Sequence, residues 1–330
     1  MGSGVPQAKD FVAVPGLRVW EKAPLAPFTT ITTGGSAGLL LSAMTQEALA
    51  SALRVLRQHE APWFCLGGGS NLLVADRGYP GVVVRLDEGF QYVEGLPSGA
   101  WDTTCRAAAA EPVPMAVITG AGAFLARLAA VAAEAGLSGL EWACGIPGTL
   151  GGAVAMNAGA HGSSVSDVMD AVELTSETSV RWVPRADLDC GYRHCALPAG
   201  SVVTAVRLFL TPGDPVDILQ RHRALLRARR TSQPRGARTF GSAFKNPPGD
   251  SAGHLLEKAG LKGVRHGGAE ISRVHANFIV NVGDATTGDV LCLMSLMREA
   301  VFRSSGVLLD PEVKLLGAAF PWSEDQRGNG

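Results

Sequence analysis

CGIPGTLGGAVAMNAGAHG, residues 144–162, is the stretch on which the fold of this chain turns. Six of its nineteen residues are glycine, too many for one tight turn. Without a Cβ, glycine lets successive amides point into one concavity and lets backbone come close to a ligand. Three more clusters lie in the same half of the chain: TTGGSAG at 32–38, LGGGSNLL at 66–73 and GAGAFLARL at 120–128. One such loop is an ordinary turn. Four together point to a wall of backbone N–H groups suited to phosphate oxygens. The wall is not the nicotinamide fingerprint. LGGGSNLL follows a strand but returns to strand, and GAGAFLARL opens a helix with Leu125 where the third glycine belongs. No Gly-Lys-Ser/Thr occurs, which argues against P-loop chemistry.

The rest of the composition narrows the class. The chain has 330 residues, 46% hydrophobic and 18% charged, so it can bury large cores and suits two or three domains. Its formal net charge of -1 gives no global pull toward nucleic acid or membrane. The basic stretch RHRALLRARRTSQPRGAR, 221–238, has no aromatic platform beside it. A diphosphate-facing surface or solvated charge therefore suits it better than RNA or DNA binding. Six cysteines form no CxxC pair and stand at no zinc-finger spacing from histidine, so reduced thiols and no metal are expected. The N-terminus lacks a basic segment followed by an apolar one, and no window approaches the roughly 18 apolar residues of a membrane span.

Periodicity and punctuation give the organisation. Residues 1–24 read as an extension, with Pro15, Gly16 and Pro24 in it, and PWSEDQRGNG at the end as a frayed tail. The alanine run 107–110 is too short to interpret. Leu49, Ala52, Leu53 and Leu56 share one face of a helix over 46–60 that Pro62 ends. Strands are expected at 63–66, 81–87 and 202–210, and a small-residue helix at 122–135 capped by Gly136. TPGDP at 211–215 marks a boundary near Pro212, with Asp214 as N-cap and Pro215 opening a helix to about Arg230. A helix at 252–259, a strand at 276–281, a long helix at 287–303 and a strand at 313–316 follow.

GGGSN, then GVVVRL, then GAG, then the 144–162 segment resemble the FAD-binding half of the UDP-N-acetylenolpyruvoylglucosamine reductase family. The resemblance spans roughly residues 28–318. It implies an α+β chain: a vanillyl-alcohol-oxidase-like (PCMH-type) FAD-binding fold in two lobes plus a C-terminal α+β substrate domain. The expected divisions are 1–24, 25–212 (subdomains about 25–86 and 87–212), 213–318 and a flexible tail 319–330. By the same likeness Gly67, Gly68, Gly69, Ser70 and Asn71 cradle the FAD pyrophosphate. Gly145, Ile146, Pro147, Gly148 and Thr149, with Gly152, Ala153, Asn157 and Gly159, line the rest of a non-covalently held flavin.

Three later segments match the family's catalytic positions: CGYRHC at 190–195, GSAFKNPP at 241–248 and LDPEVKLLG at 309–317. They give Arg193, Ser242 and Glu312. The implied reaction is reduction of an enolpyruvyl ether on a nucleotide sugar to a lactyl ether, with NADPH as hydride donor. A cation beside the substrate carboxylate stabilises developing charge, which suits Arg193. A proton donor must quench the carbanionic carbon, which suits the Ser242 hydroxyl. Glu312 either hydrogen-bonds the enolate when protonated or orients a neighbour when ionised. His161, Arg230, Lys245, Asn246 and His275 fall where the family contacts the nucleotide sugar. Taken singly, a serine in a Gly-Ser turn or a histidine at a strand end is usually structural.

GGSAG has Ser36 where the family often has proline. No counterpart of the tyrosine on an inserted loop occurs within 163–189, so the chain resembles the shorter class, and what closes the substrate pocket stays open. A cytoplasmic enzyme of peptidoglycan precursor synthesis is implied, with no nucleic acid, membrane or obligate protein partner. Another FAD-dependent oxidoreductase or oxidase of the same fold is the alternative, and a nucleotide-binding module that has lost catalysis is a third reading.

Overall fold

The computed structural model of the chain describes residues 6–96 and 113–323. The alanine run 107–110, Cys105 and residues 324–330 lie outside the described residues. The chain forms two compact units that interleave in sequence. Unit 1 takes residues 1–20, 40–68 and 83–229, and unit 2 takes 21–39, 69–82 and 230–330. The sequence places a boundary near Pro212, whereas the contacts divide the chain inside the helix Pro215–Ser232. That helix starts as its sequence signals require: Val216 N–H donates to Asp214 Oδ1 (2.9 Å), and Pro215, which has no N–H to satisfy, opens it.

Unit 1 is built on two sheets. The first runs in the order Leu17–Glu21, Ala37–Ala43, Tyr79–Leu86, Trp63–Leu66. Its second and third strands continue along the chain into segments of unit 2. Residues 6–20 are therefore more than an extension: Leu17–Glu21 is a strand, and Phe11 is fully buried. The helix Gln46–Gln58 begins where Thr45 Oγ1 accepts Ala48 N–H (3.2 Å). It buries Leu49, Leu53 and Leu56, each contributing about 1.5–3 kcal/mol on removal from water. Gln46 Nε2 donates to Glu173 Oε1 (3.0 Å) on the second sheet.

That second sheet has the order Val180–Pro184, Met169–Thr175, Val202–Pro212, Met115–Gly120, Val93–Glu94. The pairings of its three long central strands are antiparallel. Helix Leu125–Glu134 presents Leu125, Leu128, Ala129 and Ala132 to a core that includes Val117, Trp142 and Val206. Gly136, at φ +71°, follows it in the left-handed conformation that a helix end needs.

Unit 2 gathers around Ile31, Leu73, Phe240, Phe244, Met294 and Met297. Leu72–Val74 pairs in parallel with Lys314–Leu316. Ala269–Ile271 lies between Arg265–His266 and Ile279–Asn281 in an antiparallel sheet. The helix Thr287–Ser305 has a capping box between Thr286 and Asp289 and ends at Gly306, φ +71°. Asp76 accepts from Thr287 N and Gly288 N (both 2.8 Å), placing a carboxylate at the positive end of the helix. Segments far apart in sequence thus close one core.

Candidate active site

Three of the four glycine clusters contribute to one wall of unit 1. Leu125 N–H donates to Gly148 O (3.0 Å), Leu150 N–H to Ala123 O (2.9 Å) and Gly151 N–H to Ala121 O (2.8 Å). These bonds bind GAGAF to the start of the 144–162 segment. The 66–68 loop lies against the same place. A Cβ on Gly67 would sit 2.6 Å from Thr149 Oγ1, and one on Gly68 would sit 2.7 Å from Gly148 Cα. Any side chain there would run into Thr149 or Gly148 of the chain itself. Thr149 caps the short helix Leu150–Ala155 by accepting Gly152 N–H (3.4 Å). A Cβ on Gly152 would meet no atom nearer than Thr149 Oγ1 at 3.5 Å, so this face is open. Ala153 is buried, and Ile146 packs on the core with Pro147 between it and Gly148.

Other glycines have a purely internal reason. Cβ atoms on Gly34 and Gly35 would collide with Val74 and with Asp76 O, and one on Gly69 (φ +61°) would lie 1.9 Å from Phe28 O. TTGGSAG and Gly69, Ser70 and Asn71 belong to unit 2. There Thr30 N–H donates to Gly69 O (3.1 Å).

Arg193 sits at the tip of a two-residue hairpin. Cys190–Gly191 pairs with His194–Cys195, leaving Tyr192 and Arg193 as the loop. Arg193 has φ +56°, a value rare for a side-chain-bearing residue outside such turns. Its guanidinium donates to Gly159 O (3.1 Å) and lies 5.0 Å from the Tyr192 ring centroid. Asn157 is buried and uses its amide internally: Nδ2 donates to Gly191 O (2.9 Å), and Oδ1 accepts Ser166 N–H (3.1 Å). Asn157 therefore anchors the Arg193 hairpin. His161, φ +54°, is exposed in the turn between Gly159–Ala160 and Ser163–Ser164. Cys190 and Cys195 are joined as a disulfide. This corrects the expectation of reduced thiols for that pair; the hairpin sets the two residues opposite one another, which a search for CxxC spacing does not detect.

Unit 2 brings Ser242 and Glu312 together. Ser242 bridges to Phe278, Ala243 N–H donates to Asn277 O (2.8 Å), and Glu312 N–H donates to Ala243 O (2.9 Å). Asn71 Nδ2 donates to Glu312 O (3.1 Å), while Lys314 N–H donates to Asn71 O (3.1 Å). Lys245 N–H donates to Asp310 O (2.9 Å). Asn246 Oδ1 accepts Ala252 N–H (3.1 Å) at the start of the helix Ala252–Lys258. His275 Nδ1 accepts Asn277 N–H (3.2 Å), and its ring meets Phe278 edge-on at 4.9 Å. Burial, then Lys262, lowers its pKa against an opposing pull from Glu257.

Two residues escaped the sequence reading. Asn277, only 2% exposed, clamps Phe244 from both sides: Oδ1 accepts its N–H (3.0 Å) and Nδ2 donates to its carbonyl (2.8 Å). Arg229, in unit 1, lies against the 144–162 loop; a Cβ on Gly145 would meet its Cδ at 3.3 Å and Leu226 Cδ1 at 3.0 Å. Arg230, chosen from sequence, is exposed and belongs to unit 2. Leu226 and Arg229 are three residues apart, so helical spacing could have separated the two arginines.

Two family models match. An FAD binding domain covers residues 38–180, and the UDP-N-acetylenolpyruvoylglucosamine reductase C-terminal domain covers 233–316. A UDP-N-acetylenolpyruvoylglucosamine reductase of Anaeromyxobacter sp. (strain Fw109-5) is 47% identical over 299 residues, 91% of this chain and 89% of that protein. The chain belongs to this reductase family. The Myxococcus xanthus (strain DK1622) reductase is 43% identical, covering 92% of this chain and 93% of its own. The crystal structure of the Thermus caldophilus reductase shares 40% identity at a TM-score of 0.76, covering 91% of this chain and 99% of that one. The fold is the expected α+β, an FAD-binding domain followed by the family's C-terminal domain, and the cofactor is FAD. The residues present fit that group: Gly67 and Gly68 pack directly on Thr149 and Gly148, and the face of Gly152 beside them is open, so backbone amides can come close to phosphate oxygens. Among the described residues no helix is long and apolar enough to cross a membrane.

Proposed function

We propose that this chain catalyses the NADPH-dependent reduction of UDP-N-acetylglucosamine enolpyruvate to UDP-N-acetylmuramate in peptidoglycan precursor synthesis. The observation that carries the proposal is the bond from Glu312 N–H to Ala243 O, the residue next to Ser242, in unit 2 of a chain at 40–47% identity to named reductases. FAD, when bound, supplies the two-electron chemistry that links NADPH to the enolpyruvyl double bond. Gly67, Gly68, Gly148, Thr149 and Gly152 hold it through backbone amides, and small Ala153 leaves it room. Gly69, Ser70 and Asn71 continue the loop.

The chain's own residues then handle charge and proton. A serine hydroxyl is a weak acid, so Ser242 gives up its proton only to a strongly basic centre such as the carbanionic carbon of the reduced enolpyruvyl group. Arg193 offers a permanent cation and a planar fork to the substrate carboxylate. Glu312 hydrogen-bonds the developing enolate. Lys245 and the exposed Arg230 meet the nucleotide phosphates, while His161, Asn246 and His275 border the sugar. Nucleotide sugar and NADPH are cytoplasmic metabolites, so the enzyme works in the cytoplasm, on small molecules and without an obligate partner.

Anaerobic stopped-flow in the visible flavin band tests the proposal. NADPH should bleach the holoenzyme, and the nucleotide sugar should restore its colour. Bleaching without recovery would transfer the reading to an oxidase of the same fold, in which oxygen restores the colour. Bleaching by unrelated alcohols or sugars in place of NADPH would do the same.

A further inference from the structure

The hairpin that carries Arg193 also carries the disulfide, and nothing in the proposed reaction uses it. We propose that Cys190 and Cys195 are a reversible redox-modification site, exchanging with low-molecular-weight thiols and disulfides, that ties the base of the Arg193 turn. The part of this proposal that concerns activity rests on the role given above to Arg193.

The register places the pair. Gly191 faces His194 next to the loop, Cys190 faces Cys195 one step back, and Ala196 N–H donates to Asp189 O (2.7 Å) one step further. In an antiparallel pair, hydrogen-bonded and non-hydrogen-bonded positions alternate, so the cysteines occupy the non-hydrogen-bonded one, where side chains approach most closely. The hairpin therefore sets the two sulfurs side by side through its own strand pairing. The bond is not needed as a staple. The strands are already paired, and Asn157 holds Gly191 from outside. The loop it closes is short, and short loops gain least from cross-linking, which leaves the bond open to reduction.

The surroundings favour exchange. Arg193, a permanent cation, stands between the two cysteines in sequence and favours thiolate, the reacting form, against the Asp189 carboxylate beside Cys190. Cys190 is half-buried and Cys195 buried, which makes Cys190 the thiol met first and Cys195 the resolving one. In oxidation, the Cys190 thiolate attacks a low-molecular-weight disulfide and expels one thiolate. The Cys195 thiolate then attacks Cys190 Sγ and expels the second. Two protein thiols are oxidised, one small disulfide is reduced to two thiols, and the protein's two protons pass to them. Glutathione in reverse regenerates the dithiol.

Holoenzyme equilibrated with mixtures of reduced and oxidised glutathione, acid-quenched, alkylated and digested, tests this by mass. The peptide carrying both cysteines should gain or lose two labels together, with a midpoint inside the glutathione range. A pair that stays dithiol under oxidised glutathione, or stays bonded under reduced glutathione, would overturn the proposal. Reoxidation by the nucleotide sugar should slow severalfold on reduction of the pair, with flavin bleaching by NADPH unchanged. Cys190→Ser should fix the slower rate whatever the glutathione ratio. Exchange without any rate change would refute the link to Arg193, whereas wild-type labelling needs no substrate and stands apart from the proposed activity.

Discussion

The Arg193 hairpin of unit 1 and the Ser242 and Glu312 segments of unit 2 hold their residues in different ways. Ser242 and Glu312 lie in a lattice of main-chain bonds, with Ala243, Phe244 and Asn277 buried beside them. Arg193 projects from a turn whose other loop residue, Tyr192, is 55% exposed, and its guanidinium donates to Gly159 O and lies over the Tyr192 ring. The contrast follows from the chemistry assigned to each. Proton transfer needs its donor within roughly 2.6–3.2 Å of the acceptor. Stabilising a charge falls off only as the inverse of distance. A proton donor therefore needs a lattice, while a charge can sit on a turn.

The largest effect should come from Ser242→Ala. Reoxidation by the nucleotide sugar should fall by a factor on the order of 10² or more, with flavin reduction by NADPH unchanged, in single-turnover stopped-flow. Equal losses in both half-reactions would break the assignment. Asn277→Ala comes next. It strips the Phe244 N–H and C=O of their partner in a buried place, at about 1–3 kcal/mol for each group left unsatisfied. The urea midpoint should drop, and reoxidation should slow because Ser242 two residues away loses its register. An Asn277→Ala enzyme with normal reoxidation would show that the lattice is not what positions the donor.

Arg193→Lys should cost less, about tenfold in reoxidation, or about 1.4 kcal/mol. The cation stays while the fork and its bond to Gly159 go. Its melting temperature should not move. Glu312→Gln sharpens the comparison from the other side. An amide still donates, so retained reoxidation supports a hydrogen bond from Glu312 to the enolate, and collapse means the carboxylate form is required.

Legibility in the sequence followed the same divide. Helices with a single buried face, such as Gln46–Gln58, were readable from periodicity and caps. Ala37–Ala43 was not, because nearly every position is buried and no alternation survives. The glycine clusters serve two purposes. Gly67 and Gly68 adjoin the proposed cofactor cradle, but Gly34, Gly35 and Gly69 are glycine because the chain's own backbone presses on them. Composition cannot separate a ligand from a neighbouring strand, since each excludes a Cβ in the same way. Asn277 was hidden inside HANFIVN, because a clamp on a segment 33 residues away leaves no local pattern.

The smallest effect expected concerns pH, and it again separates the two regions. Each unit has a histidine whose pKa burial lowers. For His275 in unit 2, Lys262 adds to burial and Glu257 opposes it. For His222 in unit 1, Arg223 adds while Glu141 and Glu134 oppose. A lowered folded-state pKa means that the unfolded chain takes up the proton first as pH falls. Stability should therefore decline as pH drops below about 6.5, the ordinary histidine value, and level off below the folded-state values. Urea midpoints measured from about pH 7.5 to about pH 5 check the sign, and His275→Gln or His222→Gln should each flatten the slope. The two should part in activity. His222 Nδ1 is buried and makes no hydrogen bond, so its protonation costs stability alone. His275 Nδ1 accepts the Asn277 N–H, and a protonated ring sets donor against donor there. The disturbance falls on the residue that clamps Phe244, so acid should slow reoxidation through His275 and not through His222. Equal activity profiles for the two variants would mean that the Ser242 lattice does not feel its own histidine.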